Sequence, residues 1–225
     1  MLLAIDTATQ SLSLALHDGQ RLQAELTLWA GRVHNQRLAP LVQMLLADSN
    51  TPISALTAVA VCRGPGSYTG LRAGIALAKG IATTARLPLV GVDSHAILAA
   101  AAPSGTARLG LLAAIEAGRG RIIAARYQWR GKRWQIADDA HITTWEAALG
   151  ALEAGSYLVT GEIDPEARPL LQTPPEGVTL TILNGALRAR RAGLLAELAF
   201  EQLDGAATGA HLPARLTPIY LKSSG

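Results

Sequence analysis

The chain has 225 residues, of which 49% are hydrophobic, so it can bury a sizeable core in one large domain or two small ones. Its 20 basic and 17 acidic residues are interspersed and give a net charge of +3, which by itself does not indicate a nucleic-acid-binding protein. The single cysteine, Cys62, excludes an intramolecular disulfide and a thiolate zinc cluster. No apolar run reaches membrane-spanning length and no signal peptide precedes the first strand-like segment, so we expect a cytoplasmic protein.

The first half of the chain predicts a three-stranded meander followed by alternating helices and strands. Apolar residues alternate in the early segments and recur at helical spacing in the later ones. The predicted elements are strands over 2–6, 11–16 and 22–28, a helix over 35–48, a strand over 57–61, a helix over 71–85, a strand over 88–92 and a helix over 94–101. This order, βββαβαβα, is that of a ribonuclease-H-like unit.

The pattern starts again after Pro103-Ser104-Gly105. The second half predicts strands over 109–115, 121–129 and 134–137, a helix over 144–154, a strand over 157–160, a short helix after Asp164-Pro165, a strand over 178–183 and a helix over 186–203. We therefore predict an α/β fold of two tandem ribonuclease-H-like lobes, residues 1–103 and 104–225, in the actin and sugar-kinase architecture. Packing of the terminal segment back on the first lobe is an alternative to this division.

A glycine loop lies between the predicted strand 57–61 and the helix 71–85. Its main residues are Gly64, Pro65, Gly66, Ser67, Thr69 and Gly70. Such a loop can hold phosphate at a helix N-terminus, with Ser67 or Thr69 capping the helix. It lacks the spacing and the Gly-Lys-Ser/Thr ending of a P-loop, however, and a structural turn is the favoured interpretation.

Active kinases of this architecture hold magnesium and nucleotide between their two halves, with acidic residues at both first hairpins. The candidate vestigial cleft residues here are Asp6, Thr7 and Glu116. Asp6-Thr7 could bind a magnesium-bound phosphate or could satisfy backbone groups at the turn. Because Glu116 is a weaker second acid, we favour the backbone role. An autonomous ATP-dependent kinase or ATPase is the alternative function.

Five segments together carry a family resemblance. They are Ala4-Ile5-Asp6-Thr7-Ala8-Thr9, His34-Asn35-Gln36-Arg37-Leu38-Ala39-Pro40-Leu41, residues 63–72, Pro88-Leu89-Val90-Gly91-Val92-Asp93-Ser94 and Pro218-Ile219-Tyr220-Leu221. The chain resembles the TsaB (YeaZ) family. That resemblance implies a non-catalytic partner of the transferase TsaD, which places threonylcarbamoyl on adenosine 37 of ANN-decoding tRNAs. It also implies a TsaE-type ATPase as a further partner, contact with tRNA indirectly through the complex, and no intrinsic cofactor, with ATP or ADP left as a ligand of the complex interface.

The catalytic paralogue TsaD holds its metal with a His-x-x-x-His motif after the strand equivalent to 88–92. Here the two positions are Ser94 and Leu98, which cannot replace imidazole ligands. We therefore expect no catalytic residues, no metal and no enzyme activity of the chain itself. A peptidase and a nuclease have little support, because the sequence lacks a nucleophile–histidine arrangement and a converging set of carboxylates.

The resemblance places the TsaD contact on the helices 35–48 and 71–85. The predicted partner and homodimer interface contains His34, Leu38, Leu41, Val42, Leu45, Arg72, Ala73, Ala76, Leu77 and Gly80. Small residues in the second helix suit the close approach of another helix. The alternative is that both helices only cover their own sheet. We expect a homodimer through the same surface when TsaD is absent.

The sequence also contains two basic stretches. The first contains Arg119, Arg121, Arg126, Arg130, Lys132 and Arg133 beside Tyr127, Trp129 and Trp134. It could contact tRNA, but a solvated edge strand is favoured because Arg121 and Arg126 fall on opposite faces of a regular strand. The second contains Arg188, Arg190 and Arg191 on the last helix, and we expect it to be that helix's solvated face.

Overall fold

A computed structural model of the chain describes residues 1–29, 31, 34–207 and 209–221, excluding the side chains of 34–36. The strands and helices are, in chain order, β1 (Leu2–Asp6), β2 (Ser11–His17), β3 (Leu22–Trp29), α1 (His34–Asp48), β4 (Ala58–Gly64), α2 (Tyr68–Ala85), β5 (Leu89–Asp93), α3 (Ser94–Ala101), β6 (Leu109–Gly118), β7 (Arg121–Arg130), β8 (Arg133–Thr143), α4 (Trp145–Gly150), β9 (Gly155–Gly161), α5 (Ala167–Gln172), β10 (Val178–Ile182), α6 (Gly185–Arg188) and α7 (Ala192–Asp204). Among the described helices, none has the length and apolar character needed to cross a bilayer.

The first sheet has the strand order β3-β2-β1-β4-β5. Strand β1 pairs antiparallel with β2 and parallel with β4. Because successive side chains of a strand point to opposite faces, Leu3 and Ile5 of β1 pack in a core with α1 and α2. Leu2 and Ala4 pack in a second core with α7. The sheet is therefore covered by helices on both faces.

The second sheet repeats this pattern. Its order is β10-β9-β6-β7-β8, with β6 antiparallel to β7 and parallel to β9. One face packs against α4 and α5, and the other includes Leu98 and Ala99 of α3. Each sheet thus has an antiparallel meander extended by two parallel strands, and the predicted duplication of ribonuclease-H-like units is confirmed.

The predicted single helix over 186–203 is wrong. The chain forms α6, passes through extended backbone at Ala189 and Arg191, and only then begins α7. No glycine or proline marks the break. The α7 N-terminus is instead satisfied by side chains from the first sheet, because Ser13 Oγ accepts from Ala192 N and Glu25 Oε1 accepts from Gly193 N, each at 2.8 Å. The lengths of two other elements also differ from the prediction, because α4 is shorter and β8 is longer than expected.

The chain divides into two compact units whose boundaries differ from the predicted lobes. The first unit contains Met1–Ile97 and Arg190–Tyr220, and the second unit contains Leu98–Ala189 and Leu221. Residues 190–220, predicted in the second lobe, therefore pack in the first unit. The reason is the complementary alanine surface, in which Ala192, Ala196 and Ala199 of α7 lie against a sheet face that includes Ala4 and Ala60.

Candidate functional site

The glycine loop connects β4 to α2 and packs against its own chain. Ser67, one of the two predicted caps, accepts a hydrogen bond from Gly70 N at 3.3 Å through its Oγ. A Cβ on Gly66 would lie 2.2 Å from Ala8 O, and one on Gly70 would lie 2.1 Å from Thr7 O. Thr7 Oγ1 also donates to Gly70 O at 2.8 Å. Glycine is therefore required by the close approach of the β1–β2 connection, which occupies this side of the loop.

Asp6 ends β1 and is almost completely buried, with 1% of its surface exposed. Its Oδ1 accepts from Ala8 N at 2.8 Å and its Oδ2 accepts from Arg190 Nε at 3.0 Å. Arg190, 4% exposed, also donates to Thr9 Oγ1. Both carboxylate oxygens thus have partners within the first unit. A divalent cation at this carboxylate would have to displace the guanidinium or lie beside it.

The burial of Arg190 overturns its prediction as part of a solvated helix face. It lies in the extended segment between α6 and α7, where no amphipathic pattern applies. Arg191 does lie partly in solvent, and it pairs with Glu25 of β3. The only sequence signal for Arg190 was indirect, because a buried strand-end acid such as Asp6 requires a cationic or hydrogen-bonding partner somewhere in the chain.

Glu116, the second predicted cleft acid, lies in the second unit and is exposed. Partial burial, followed by the carboxylates of Glu162 and Asp164, raises the pKa of Glu116 above its ordinary value. Its backbone N–H donates to Glu162 Oε2 at 2.9 Å. No set of three His, Cys, Asp or Glu side chains in the described part of the chain is arranged to hold a metal.

The two positions that would carry metal-binding histidines are both buried. Ser94 Oγ donates to Pro65 O at 2.7 Å and lies 3.0 Å from Cys62 Sγ, so it ties the start of α3 to the glycine loop. Leu98 belongs to the core of the second unit. Burial raises the pKa of the Cys62 thiol, which keeps it protonated and unreactive.

Helix α1 presents a different surface from the predicted one. Leu38, Val42 and Leu45 are 3%, 4% and 6% exposed and belong to the core beneath α1 and α2. They were predicted as interface residues, but in this structure they pack inside the first unit and are not available to a partner. Leu41 is half-buried and packs against the same core. The side chain of His34 lies outside the described residues. The i, i+4, i+7 stripe that suggested a partner surface is the stripe that covers the chain's own sheet.

Helix α2 has an outer surface of mostly small residues. We define the α2 face as Arg72, Ala73, Ala76, Leu77 and Gly80, which are exposed or half-buried. A Cβ on Gly80 would meet nothing within 4 Å, so no atom of the described chain requires glycine there. Gly74, on the inner side, differs because its Cβ would lie 2.2 Å from Thr7 Oγ1. Neighbouring α1 adds exposed Arg37 and Met44.

The end of the described chain lies beside the start of α2. Ile219 N donates to Arg63 O at 2.8 Å. The rings of Tyr68 and Tyr220 have centroids 5.1 Å apart, and the Arg72 guanidinium lies 5.0 Å from the Tyr68 ring centroid. These exposed aromatic side chains extend the α2 face at its N-terminal end.

Comparison with known proteins identifies the family. Residues 28–167, more than half of the chain, match the family model described as TsaD, tRNA N6-adenosine threonylcarbamoyltransferase. The chain is 40% identical over 137 residues to the tRNA threonylcarbamoyladenosine biosynthesis protein TsaB of Escherichia coli strain K12. It also superposes on YeaZ from Pseudomonas aeruginosa with a TM-score of 0.77 and 29% identity, over 98% of this chain and 99% of that one. The chain belongs to this family, in its TsaB (YeaZ) branch.

The sequence alignments with TsaB proteins are partial. The E. coli alignment covers 58% of this chain and 59% of the relative. A second, with TsaB of Bacillus subtilis strain 168, shows 35% identity and covers 63% of this chain and 61% of that one. The chain thus spans about three fifths of the length of these two relatives. A tRNA N6-adenosine threonylcarbamoyltransferase of Solidesulfovibrio magneticus is 47% identical over 73 residues, which are 32% of this chain and 20% of that protein.

Proposed function

We propose that this chain is a non-catalytic subunit that binds a TsaD-type transferase and supports threonylcarbamoyl transfer to adenosine 37 of ANN-decoding tRNAs. The observation that carries the proposal is the α2 face, where Ala76 and Gly80 are exposed and a Cβ on Gly80 would meet no described atom within 4 Å. An interior helical glycine costs about 1 kcal/mol relative to alanine. Gly80 carries that cost in α2 although no atom of the described chain requires glycine there, whereas the close approach of a partner helix would use it.

The non-catalytic part of the proposal rests on Asp6 and on the two buried positions of α3. The Asp6 carboxylate already holds Arg190 and a backbone N–H, and a kinase would need this oxygen pair for its metal. Ser94 and Leu98 lie in packed interiors and carry no imidazole. The Asp6 contacts favour a supporting subunit over an ATP-dependent kinase of the same fold, and the residues at 94 and 98 favour it over a metal-dependent transferase of the TsaD type.

In the proposed binding mode, α1 and α2 of this chain contact the equivalent helices of the transferase. The match to the TsaD family model includes the residues of α1 and α2, so we expect a TsaD-type transferase to have equivalent helices. Two such chains can form a pseudo-symmetric pair through α1 and α2, and two copies of this chain can form a homodimer in the same way. Arg37, Arg72 and Lys79 lie on these two helices, and α2 contains no acidic residue, so the transferase surface is expected to be acidic around its contact.

Three further elements of the proposal come from the family resemblance. A TsaE-type ATPase joins the complex, ATP or ADP binds at the complex interface, and the protein acts in the cytoplasm. Each can be tested separately from the α2 face, because none of them requires Ala76 or Gly80.

The proposal is tested by reconstituting tRNA threonylcarbamoylation from the transferase, the TsaE-type ATPase, threonylcarbamoyl-adenylate, ATP and tRNA, with and without this chain. Ala76→Arg is the variant, since it places a long charged side chain in the centre of the α2 face. Ala147→Arg is the matched control, because Ala147 is an exposed alanine on α4 in the second unit. We expect activity to need the chain and transferase affinity to fall roughly tenfold or more for Ala76→Arg only.

Leu41→Asp is a less suitable variant, because Leu41 packs against the core of the first unit and its loss would disturb folding. Activity that is indifferent to the chain would overturn the proposal. ATP turnover by the isolated chain would then favour the kinase alternative.

A further inference from the structure

The β7–β8 hairpin brings four basic residues to one end of the second sheet. Arg130 and Arg133 are the last directly opposed pair of the ladder, so they point to the same face. The turn between them is Gly131-Lys132, with φ of +57° and +64°. Arg108 precedes β6 by one residue and lies at the same end, because Gly110 pairs with Gln128. We define the hairpin tip as Arg108, Arg130, Lys132 and Arg133, and all four are exposed.

This arrangement is unfavourable for an isolated fold. Like charges directly opposite each other on neighbouring strands destabilise a sheet. A lysine at a left-handed backbone position also replaces the glycine or asparagine that such a turn prefers. Within the described residues, no member of the hairpin tip forms an ion pair, and Arg130 donates only to the neutral Gln128 side chain. By contrast, Arg126 on the same strand is paired with Asp138.

The end of the sheet opposite the hairpin tip carries both signs of charge, because exposed Arg119 and half-buried Arg121 lie there near Glu116. At this end of β6 and β9, the carboxylates of Glu116, Glu162 and Asp164 lie close enough to raise the pKa of Glu116. By contrast, residues 129–133 around the β7–β8 turn include three basic residues and no acidic residue. A polyanion would be attracted to this cluster of exposed positive charge.

The tryptophans next to the hairpin tip have a structural role. Trp129 and Trp134 make an edge contact with ring centroids 5.3 Å apart, and Trp134 Nε1 donates to Pro103 O at 3.1 Å. A Cβ on Gly105 would lie 2.8 Å from the Trp134 ring. The pair thus packs on the connection before β6 and holds the base of the hairpin in place. Its rings are engaged by protein, which favours phosphate contacts over base stacking at this end of the sheet.

We propose that the hairpin tip binds the phosphate backbone of the tRNA substrate, without reading its sequence. This inference rests on the proposed function, which brings tRNA to the complex. Arginine forms bidentate contacts with phosphate, and the opposed Arg130–Arg133 pair offers two such groups on one face. The bound phosphates would offset the repulsion between the two guanidinium groups.

The test measures binding of fluorescent tRNA to the complex of this chain with the transferase at several salt concentrations. The variant is Arg130→Ala/Arg133→Ala. The matched control is Arg119→Ala/Arg168→Ala, which removes two exposed arginines, one of them from the turn at the opposite end of β7. For the hairpin variant we expect roughly tenfold weaker binding and a salt slope of log K reduced by about 2, because each lost phosphate contact lowers the slope by about 1. The control should bind tRNA as the unsubstituted complex does.

The outcomes separate this inference from the proposed function. In the modification reaction the hairpin variant should raise the KM for tRNA with kcat unchanged, and its melting temperature should be equal or higher because like charges are removed. Unchanged tRNA affinity and salt slope would overturn the inference. A loss of transferase affinity without a change in tRNA affinity would also overturn it, since the hairpin would then be a protein contact. Failure of the proposed function would show instead as activity that does not need the unsubstituted chain.

Discussion

Arg190 is the residue whose environment departs most from its sequence context. Its neighbours Arg188 and Arg191 suggest a solvated helix, yet its guanidinium is buried against Asp6 and Thr9. Removing one partner of a buried ion pair leaves an uncompensated charge, which costs more than the pair contributes. We therefore expect Arg190→Ala to lower the free energy of unfolding by about 3–5 kcal/mol, measured by urea denaturation.

A double-mutant cycle distinguishes this ion pair from simple loss of packing. In Asp6→Asn/Arg190→Met the side-chain amide oxygen can still accept from Ala8 N, and no buried charge remains. The double variant should be more stable than the sum of the two single changes predicts. Strict additivity would mean that Asp6 and Arg190 do not interact in solution.

Glu116 gives a pH-dependent prediction in the second unit. A carboxyl group with a raised folded-state pKa favours folding while protonated, and this contribution is lost as pH rises through that pKa. Glu116→Gln should therefore leave the melting temperature unchanged below about pH 4 and raise it by about 1–2 °C above about pH 7. Thermal melts at both pH values check this expectation, with the exposed Glu176→Gln as control. A gain at low pH alone would contradict the assigned cause.

At the candidate site, residues whose role is set by local sequence could be predicted. Asp6 is recognisable as an acid at the end of an apolar strand, and Ser67 as a helix cap after a strand and before an apolar helix. Arg190 could not be predicted, because its role comes from contacts with residues more than 180 positions away. Sequence periodicity carries no information on such a pairing.

Two glycines of α2 give opposite predictions. Gly80 has open space at its Cβ position, so Gly80→Ala should stabilise the isolated chain by up to about 1 kcal/mol through helix propensity. Gly74→Ala should destabilise it, because the new methyl group would lie 2.2 Å from Thr7 Oγ1. Urea midpoints of the two variants check this pair.

The same Gly80 variant tests the partner contact. If another helix packs closely on the α2 face, Gly80→Ala weakens transferase binding while it stabilises the isolated chain. Isothermal titration with the transferase measures the first effect. Unchanged affinity would exclude Gly80 from the contact and leave its presence in α2 without a role in pairing.

Most of the helices and strands follow from periodicity and turn residues, as with β1, α1 and α3. The exceptions have a common physical cause, because a tertiary contact determines where the helix or strand begins or ends. Helix α7 begins where Ser13 and Glu25 accept its first free N–H groups, and a local pattern cannot place that position. The apolar stripe of α1 was assigned to the wrong surface for a related reason, since a stripe indicates burial and not whether the chain's own sheet or a partner supplies it.

For the whole molecule, the assignment of α7 to the first unit is the main result that chain order does not predict. Two ribonuclease-H-like repeats suggest a boundary between them, and the repeats do meet near residue 103. Helices α1 and α2, however, cover only one face of the first sheet. Its other face, which includes Leu2, Ala4 and Ala60, is covered by a helix from near the end of the chain.

A fragment of residues 1–103 tests this division directly. It would expose that apolar sheet face and leave Asp6 buried or half-buried without Arg190, so we expect no cooperative urea transition by circular dichroism and rapid proteolysis. Addition of a peptide of residues 190–221 should restore a cooperative transition, because it supplies α7, Arg190 and the Ile219 contact to Arg63. The same peptide with Ala196→Asp should fail, since Ala196 is completely buried. Cooperative unfolding of the fragment alone would mean that the first repeat is stable without α7, and that the late helix adds to a fold which the first half of the chain already completes.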